Sequence, residues 1–331
     1  MSINSNCTRV SLCIAAYNAA ESIGRALKSA VNQQQDSNVE IAEILVYDDC
    51  STDSTADVIA EYCKNHPLIQ LIKASKNRGV GAARQELVEA AAGDFLLFLD
   101  DDDCSVATRM IDQVSMIKRY EQSGLNNEKP VFSFGLRQRF FPDDHSDVVG
   151  HIGQDPSGRG PSGQSIIDGN LLGLPQNIAF SHLATCALAG RVQAFKDCGG
   201  FDPAFRRAED SEFSIRIGLN GGHIIGTSEV VVHQYMSLGS DKSLDLNHQA
   251  KLQLLYKHRE LIKTHGYYPF LEDWARFRHA ILVRRWNRAS LLAGILLLCY
   301  LGKTLKRAWA AQQNVRVATI EAAYLNQRRS L

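Results

Sequence analysis

An α/β fold, with a Rossmann-like, mostly parallel sheet flanked by helices, is predicted for this 331-residue chain by two observations. Four short apolar runs, at residues 10–15, 43–47, 69–73 and 95–99, alternate with stretches of helical periodicity, the pattern of successive βαβ units. The second and fourth runs end in aspartates, Asp48-Asp49 and Asp100-Asp101-Asp102-Asp103. Open parallel sheets bind ligands at that edge.

After the first run, Asn18 and Glu21 stand three apart as a capping box. Ile23, Ala26, Leu27, Ala30 and Val31 follow at three- and four-residue steps and predict the first helix. After the second, Ser51-Thr52-Asp53-Ser54 opens a helix reaching Lys64, with Ile59, Tyr62 and Cys63 on one face. After the third, Asn77-Arg78-Gly79-Val80-Gly81-Ala82-Ala83-Arg84 is a Gly-rich entry to a helix over 82–92. Helix N-termini and arginine forks both favour phosphate, although the same residues also suit a solvated helix entry. Residues 131–134 and 136–141 read as strands. The Gly-, Pro-, Asp- and Ser-rich stretch 142–176 reads as a mobile or substrate-covering loop. Order is expected to resume near Ile178, with a helix over 211–220 ended by Gly221-Gly222 and a strand at 230–232.

Composition bounds the function. With 45% hydrophobic and 22% charged residues the chain is globular, which excludes collagen, disorder and a disulfide miniprotein. Lys+Arg and Asp+Glu both number 36, so no nucleic-acid partner is expected. The balance hides an asymmetry, because residues 251–331 hold 15 basic and 4 acidic side chains and the preceding body is acidic. Eight cysteines without a C-x-x-C pair, and a start (MSINSNCTRV) without a charged region leading into an apolar one, predict reduced thiols and a cytoplasmic location.

Four adjacent carboxylates at a strand mouth repel one another, and a divalent cation reverses that cost. Hard oxygen donors suit Mg²⁺ or Mn²⁺. The alternative for Asp48 and Asp49 is that they cap the next helix, but capping does not require the four of 100–103.

Taken together, Tyr17-Asn18, Asp48-Asp49-x-Ser51-Thr52-Asp53, Asn77-x-Gly79 with Ala83-Arg84, and Asp100-x-Asp102-Asp103 resemble family 2 glycosyltransferases of the GT-A fold in order and spacing. Gly199-Gly200-Phe201-Asp202, then Glu209-Asp210 and Arg216, extend the likeness over about residues 8–235. Two departures, Ala15-Ala16 before Tyr17-Asn18 and Cys50 after Asp49, remove no charged ligand. The resemblance implies a nucleotide-sugar half over about 8–105, an acceptor half over about 106–240 and a helical C-terminal region over 241–331. It implies that Asp49 binds the base of a UDP-sugar, with Tyr17, Arg84, Asp100 and Asp101 also around the nucleotide. Asp102 and His233 would hold the metal, Asp103 and Glu209 would support, and Asp210 would be the base of an inverting transfer. The acceptor would be a glycan or lipid-linked sugar in polysaccharide or glycolipid synthesis.

The tail supplies a last expectation. Residues 289–302 are uncharged and flanked by Arg284, Arg285, Arg288, Lys303, Lys306 and Arg307. Fourteen residues fall short of the ~20 a membrane span needs. Two readings remain open: a peripheral helix on an anionic cytoplasmic membrane face, or a helix packed against the body or a partner subunit. Two rivals to a transferase are a haloacid-dehalogenase-type phosphatase using its own D-x-D, and a non-catalytic nucleotide-sugar or membrane scaffold.

Overall fold

The structure is a computed structural model that describes residues 7–150, 152–174, 183–236 and 244–328, with side chains to residue 310. The expected alternation is present as β1 (Thr8–Ala16), α1 (Ile23–Val31), β2 (Val39–Asp48), α2 (Thr55–Asn65), β3 (Ile69–Lys73), α3 (Val80–Ala90) and β4 (Phe95–Asp100). Then come β5 (Cys104–Ser105), α4 (Arg109–Gln122), β6 (Val131–Phe140), β7 (Ser146–Val149), α5 (Gln164–Ile167), β8 (Leu188–Arg191), α6 (Val192–Asp197), α7 (Glu209–Leu219) and β9 (His223–Tyr235). Four helices close the chain: α8 (Leu244–Lys257), α9 (Arg259–Thr264), α10 (Tyr268–Leu282) and α11 (Trp286–Arg328).

Among the described residues the strands form one sheet in the order β3-β2-β1-β4-β8-β6-β9-β5, with β7 on β6. The first four are parallel. In the second half β8 runs against both β4 and β6, and only β6 with β9 is parallel, so the sheet is mixed beyond β4. Register levels the strand ends: Ala15 lies opposite both Tyr47 and Asp100, and Ala16 opposite Asp48. That alignment puts the residues following β1, β2 and β4 on one edge.

Both faces of the sheet are covered. On one, Ile23, Ala26, Leu27 and Ala30 of α1 meet Leu12, Ile14 and Val46. On the other, Phe98, Phe132, Phe195, Phe201 and Phe213 pack with Leu87 and Val88 of α3. Phe201 and Phe213 stack at 4.8 Å, and Phe98 meets Phe201 edge-on at 5.3 Å. Each such pair adds about 0.5–1.5 kcal/mol beyond area burial.

Several local expectations are corrected. The Asn18–Glu21 capping box does not form: α1 begins after Ser22, and Asn18 adopts φ +51. Its Oδ1 instead accepts the Thr52 N–H at 2.8 Å, so the loop after β1 is laced to the loop after β2. Residues 131–140 form one strand with register shifts on either side of Leu136, not two strands. Gly135 lies in that irregularity, where a Cβ would meet Val231 Cγ2 at 2.1 Å. Stretch 142–176 is not a mobile loop over its described part, because β7, α5 and a π turn at Asp168–Leu172 bury Ile166, Ile167, Leu171 and Leu172. Ile178 lies outside the described residues. Helix α7 starts two residues earlier than expected, which brings Glu209 and Asp210 into its first turn.

The C-terminal helices share a core with the sheet half. Leu254, Leu255, Ile262, Phe270, Leu271 and Leu296 cluster with Ile167, Leu171, Phe205 and Ile215. A buried ion network reinforces that seam, since the Glu212 carboxylate meets Arg216 Nη2 at 2.7 Å and Lys257 Nζ at 2.6 Å. Lys257 also reaches Asp202 at 2.6 Å. Thus α7, the segment before it and α8 are bound as one unit.

Candidate active site

Four chain segments converge on the edge where β1, β2 and β4 end. The loop after β1 places Tyr17 there with its ring half-exposed, and the Tyr17 N–H donates to Asp101 Oδ2 at 3.0 Å. After β2 the two aspartates divide their tasks. Asp48 Oδ1 accepts from the Ser51 N–H at 3.2 Å and from the Ser51 hydroxyl, closing the turn. Asp49 accepts the Arg78 and Gly79 N–H groups at 2.9 and 2.7 Å, which fixes the entry of α3. Cys50, just after Asp49, adopts φ +61, a left-handed conformation that glycine takes more cheaply.

The entry of α3 lies against the segment that leads into α7. A Cβ on Gly81 would come within 2.3 Å of Phe205 O, and one on Gly79 within 2.7 Å of Arg206 Cγ. These approaches explain the small residues. Arg84, one turn into α3, is buried, and its guanidinium joins the two halves of the fold: Nη2 donates to Asp100 at 2.7 Å and Nη1 to Glu209. Burial opposes its charge, yet Asp100, Glu209 and Asp210 raise its pKa above the ordinary value.

After β4 the carboxylates crowd. Asp100, Asp101 and Asp102 border the cavity, whereas Asp103 turns inward and is fully buried. Burial, with Asp102 and Asp100 nearby, pushes Asp101 up to about 7 against the pull of the Tyr17 N–H. Burial and the same two neighbours raise Asp103 as well. Asp103 Oδ1 accepts the Tyr235 N–H at 3.1 Å, and among the described residues its Oδ2 meets no geometric hydrogen-bond partner. Donor atoms of Asp100, Asp103 and Cys186 lie within 4.8 Å of one another. Burial holds the Cys186 thiol well above its usual pKa, so it is a protonated neighbour rather than a ligand for a hard cation. Beneath them Arg109 is also buried, bound to Phe98 O at 2.8 Å and Gln113 Oε1 at 2.7 Å.

Glu209 and Asp210 enter α7 from Ala208, whose φ of +59 is unusual for a residue with a side chain. Asp210 Oδ1 accepts the Ser211 N–H at 2.5 Å. The segments together enclose a cavity of about 800 Å³, bordered by Tyr17, Asp49, Gly79, Arg84, Asp100, Asp101 and Asp102. Its far wall comes from Arg206, Arg207 and from Leu246, Gln249, Ala250 and Gln253 of α8. Arg206 spans the mouth, with Nη1 on Asn77 Oδ1 at 2.9 Å.

Known proteins match this arrangement. Residues 11–126 fit the family described as Glycosyl transferase family 2. These residues form a family 2 glycosyl transferase domain. A succinoglycan biosynthesis protein, ExoO of Rhizobium meliloti, is 37% identical over 115 residues, 35% of this chain and 30% of that protein. The Escherichia coli UDP-Glc:α-D-GlcNAc-diphosphoundecaprenol β-1,3-glucosyltransferase WfaP is 34% identical over 125 residues, 38% and 44% of the two chains. The aligned segment therefore spans less than half of either relative. S. aureus TarS 1–349, solved with UDP-GlcNAc, superposes with a TM-score of 0.54 at 19% identity, covering 96% of this chain and 92% of that one. The fold is thus of the GT-A type.

Within the glycosyl transferase domain, Tyr17, Asp49, Arg84 and Asp100 to Asp102 meet at one cavity. Glu209 and Asp210 are not among the residues bordering it: Glu209 joins through Arg84, and Asp210 lies near enough to act on the charge of Arg84. His233 is placed differently. It sits on β9 opposite Cys104, edge-on to Phe140 at 5.6 Å, and is not among the residues bordering the cavity. Arg206, Arg207 and the α8 residues were missed by sequence reasoning. Two surface arginines and a Gln-rich helix start carry no motif, and only the fold returns them to the strand ends.

Proposed function

We propose that the protein is a glycosyltransferase that moves a sugar from a UDP-sugar to an acceptor hydroxyl with inversion. The observation carrying this reading is the convergence of Asp49 and the Asp100–Asp102 carboxylates, from separate strands, on one cavity with Arg84. A dehalogenase-type phosphatase leaves Asp49 idle there. WfaP, whose name gives a UDP-sugar and a lipid-linked acceptor, supports the substrate classes.

A divalent cation fits the donor set. The oxygens are hard, and burial with the neighbouring Asp102 and Asp100 raises the Asp101 pKa, a crowding that a cation relieves. Asp102, with Asp100 and Asp101, would hold Mn²⁺ or Mg²⁺, and the bound ion would supply neutralisation of diphosphate charge. His233 is left out of this set.

The chain's own groups do the rest. Asp49, oriented by the Arg78 and Gly79 N–H groups, accepts the imide N–H of uracil, and the Tyr17 ring lies against the nucleoside. Asp100, held by Arg84, accepts from the ribose hydroxyls. Asp210 takes the proton of the acceptor hydroxyl as its oxygen bonds to the anomeric carbon and the bond to the diphosphate oxygen breaks. One displacement on one face inverts the centre.

Incubation with UDP-, GDP- and dTDP-sugars and Mn²⁺ tests the reading. UDP release with sugar transfer or donor hydrolysis is expected; release of inorganic phosphate alone would favour a phosphatase, and tight UDP binding without turnover a scaffold. Asp49→Asn should weaken UDP about ten-fold or more and erase the preference for UDP over CDP. A purely structural Asp49 would weaken both nucleotides equally.

A further inference from the structure

Among the described residues, exposed large apolar side chains are concentrated along α11. Residues Trp286–Ala310 form 25 residues long and apolar enough to cross a membrane by length and composition, well beyond the uncharged run in the sequence. One face is covered, with Ala289 and Leu292 against Ala280, and Leu296 against Phe270. The other is bare: Leu291, Leu298, Leu301, Leu305 and Trp309 are exposed, Leu298 at 89%. On each side of a kink at Tyr300 these residues recur at helical spacing, Leu291 with Leu298, then Leu301, Leu305 and Trp309.

On the packed side of α11, away from the bare face, three cations from three helices lie near one another: Lys251 of α8, Arg278 of α10 and Arg307 of α11. Arg307 Nη1 donates to Leu172 O at 2.5 Å, and its guanidinium stands 5.5 Å from the Trp274 ring. Lys251 and Arg278 make no ion pair among the described residues. Burial, then Arg307 and Arg278, bring the Lys251 ammonium down to about 8. Burial, then Arg278, lower Arg307 to about 10.

We propose that the bare face of α11, with the exposed Arg284, Arg285, Arg288 and Lys306 at its two ends, docks on an anionic bilayer, with α11 lying in the plane of the interface. The apolar side chains enter the acyl boundary, and lipid phosphate meets these exposed cations. Spanning is disfavoured by α10, which runs along α11 and carries Glu272, Asp273 and Arg276, ion-paired at 2.5 and 3.5 Å. A transmembrane α11 would draw those charges into hydrocarbon.

The full chain is tested by cosedimentation with phosphatidylcholine vesicles, with and without phosphatidylglycerol, at low and high salt. Association is expected only with phosphatidylglycerol, falling at high salt. Leu298→Gln with Leu305→Gln should reduce it about ten-fold or more while leaving the thermal melt unchanged, since both side chains are exposed. Arg285→Gln with Lys306→Gln should cost about five-fold per cation on anionic vesicles. Absence of wild-type association, or equal binding to neutral vesicles, overturns the proposal. It also falls if a lipid-free dimer is dissolved by the leucine double variant. None of these readouts depends on sugar transfer, so the proposed activity can fail or hold independently.

Discussion

Asp210→Asn is expected to lower the turnover number for transfer about a thousand-fold, within the range seen for loss of a general base, while UDP binding stays within about two-fold of wild type. The substitution keeps size and an oxygen that can accept the Ser211 N–H, so the first turn of α7 is preserved. It removes the capacity to take a proton. The competing view is that Glu209, Asp210 and Glu212 merely complement the positive end of α7. Loss of one such charge costs about 0.3–1 kcal/mol of stability and leaves turnover alone. Steady-state kinetics with a denaturation curve separate the two. Near-normal turnover in the Asn variant removes Asp210 from the chemistry.

Glu212→Gln is expected to act on stability, by about 3 kcal/mol at neutral pH. Glu212 is fully buried, and Arg216 and Lys257 would then face a neutral amide. Lys257 is about a third exposed, which keeps the figure at the low end for a broken buried pair. Burial alone would raise the Glu212 carboxyl, but hydrogen bonds and charge from His258, Arg216 and Lys257 outweigh it and hold the pKa at about 2. Because the folded pKa lies below the ordinary 4.5, the stabilisation is present above about pH 5 and is lost as pH falls toward 2. The two proteins should therefore converge in acid. All three tryptophans, Trp274, Trp286 and Trp309, lie in α10 and α11, so their fluorescence reports this region. An unchanged gap between the proteins at pH 7 and pH 3 would contradict the assignment.

Much of the fold up to β4 is legible in the sequence because its determinants are local. Each strand is a short apolar run, and each ligand-edge residue follows its strand directly, so finding β2 and β4 finds Asp49 and Asp100 to Asp102. Where longer-range contacts decide, the reading fails. The Asn18 side chain is satisfied by Thr52 of another loop instead of by its own helix. Gly81 is small because Phe205, far along the chain, lies against it. Helix α8 reaches the cavity through a core shared with α5 and α7, which no periodicity of its own residues announces. The tail's composition fits both membrane contact and internal packing, and α11 shows why: one face packs and the other stays bare.

Calorimetric titration of UDP into the wild-type protein and Asp102→Asn, each with and without Mn²⁺, tests the central assignment most directly. Mn²⁺ should tighten UDP binding to the wild type by about ten-fold or more and make little difference to the variant. UDP binding that ignores Mn²⁺ in both proteins would contradict a strand-end carboxylate site built for a cation and a diphosphate.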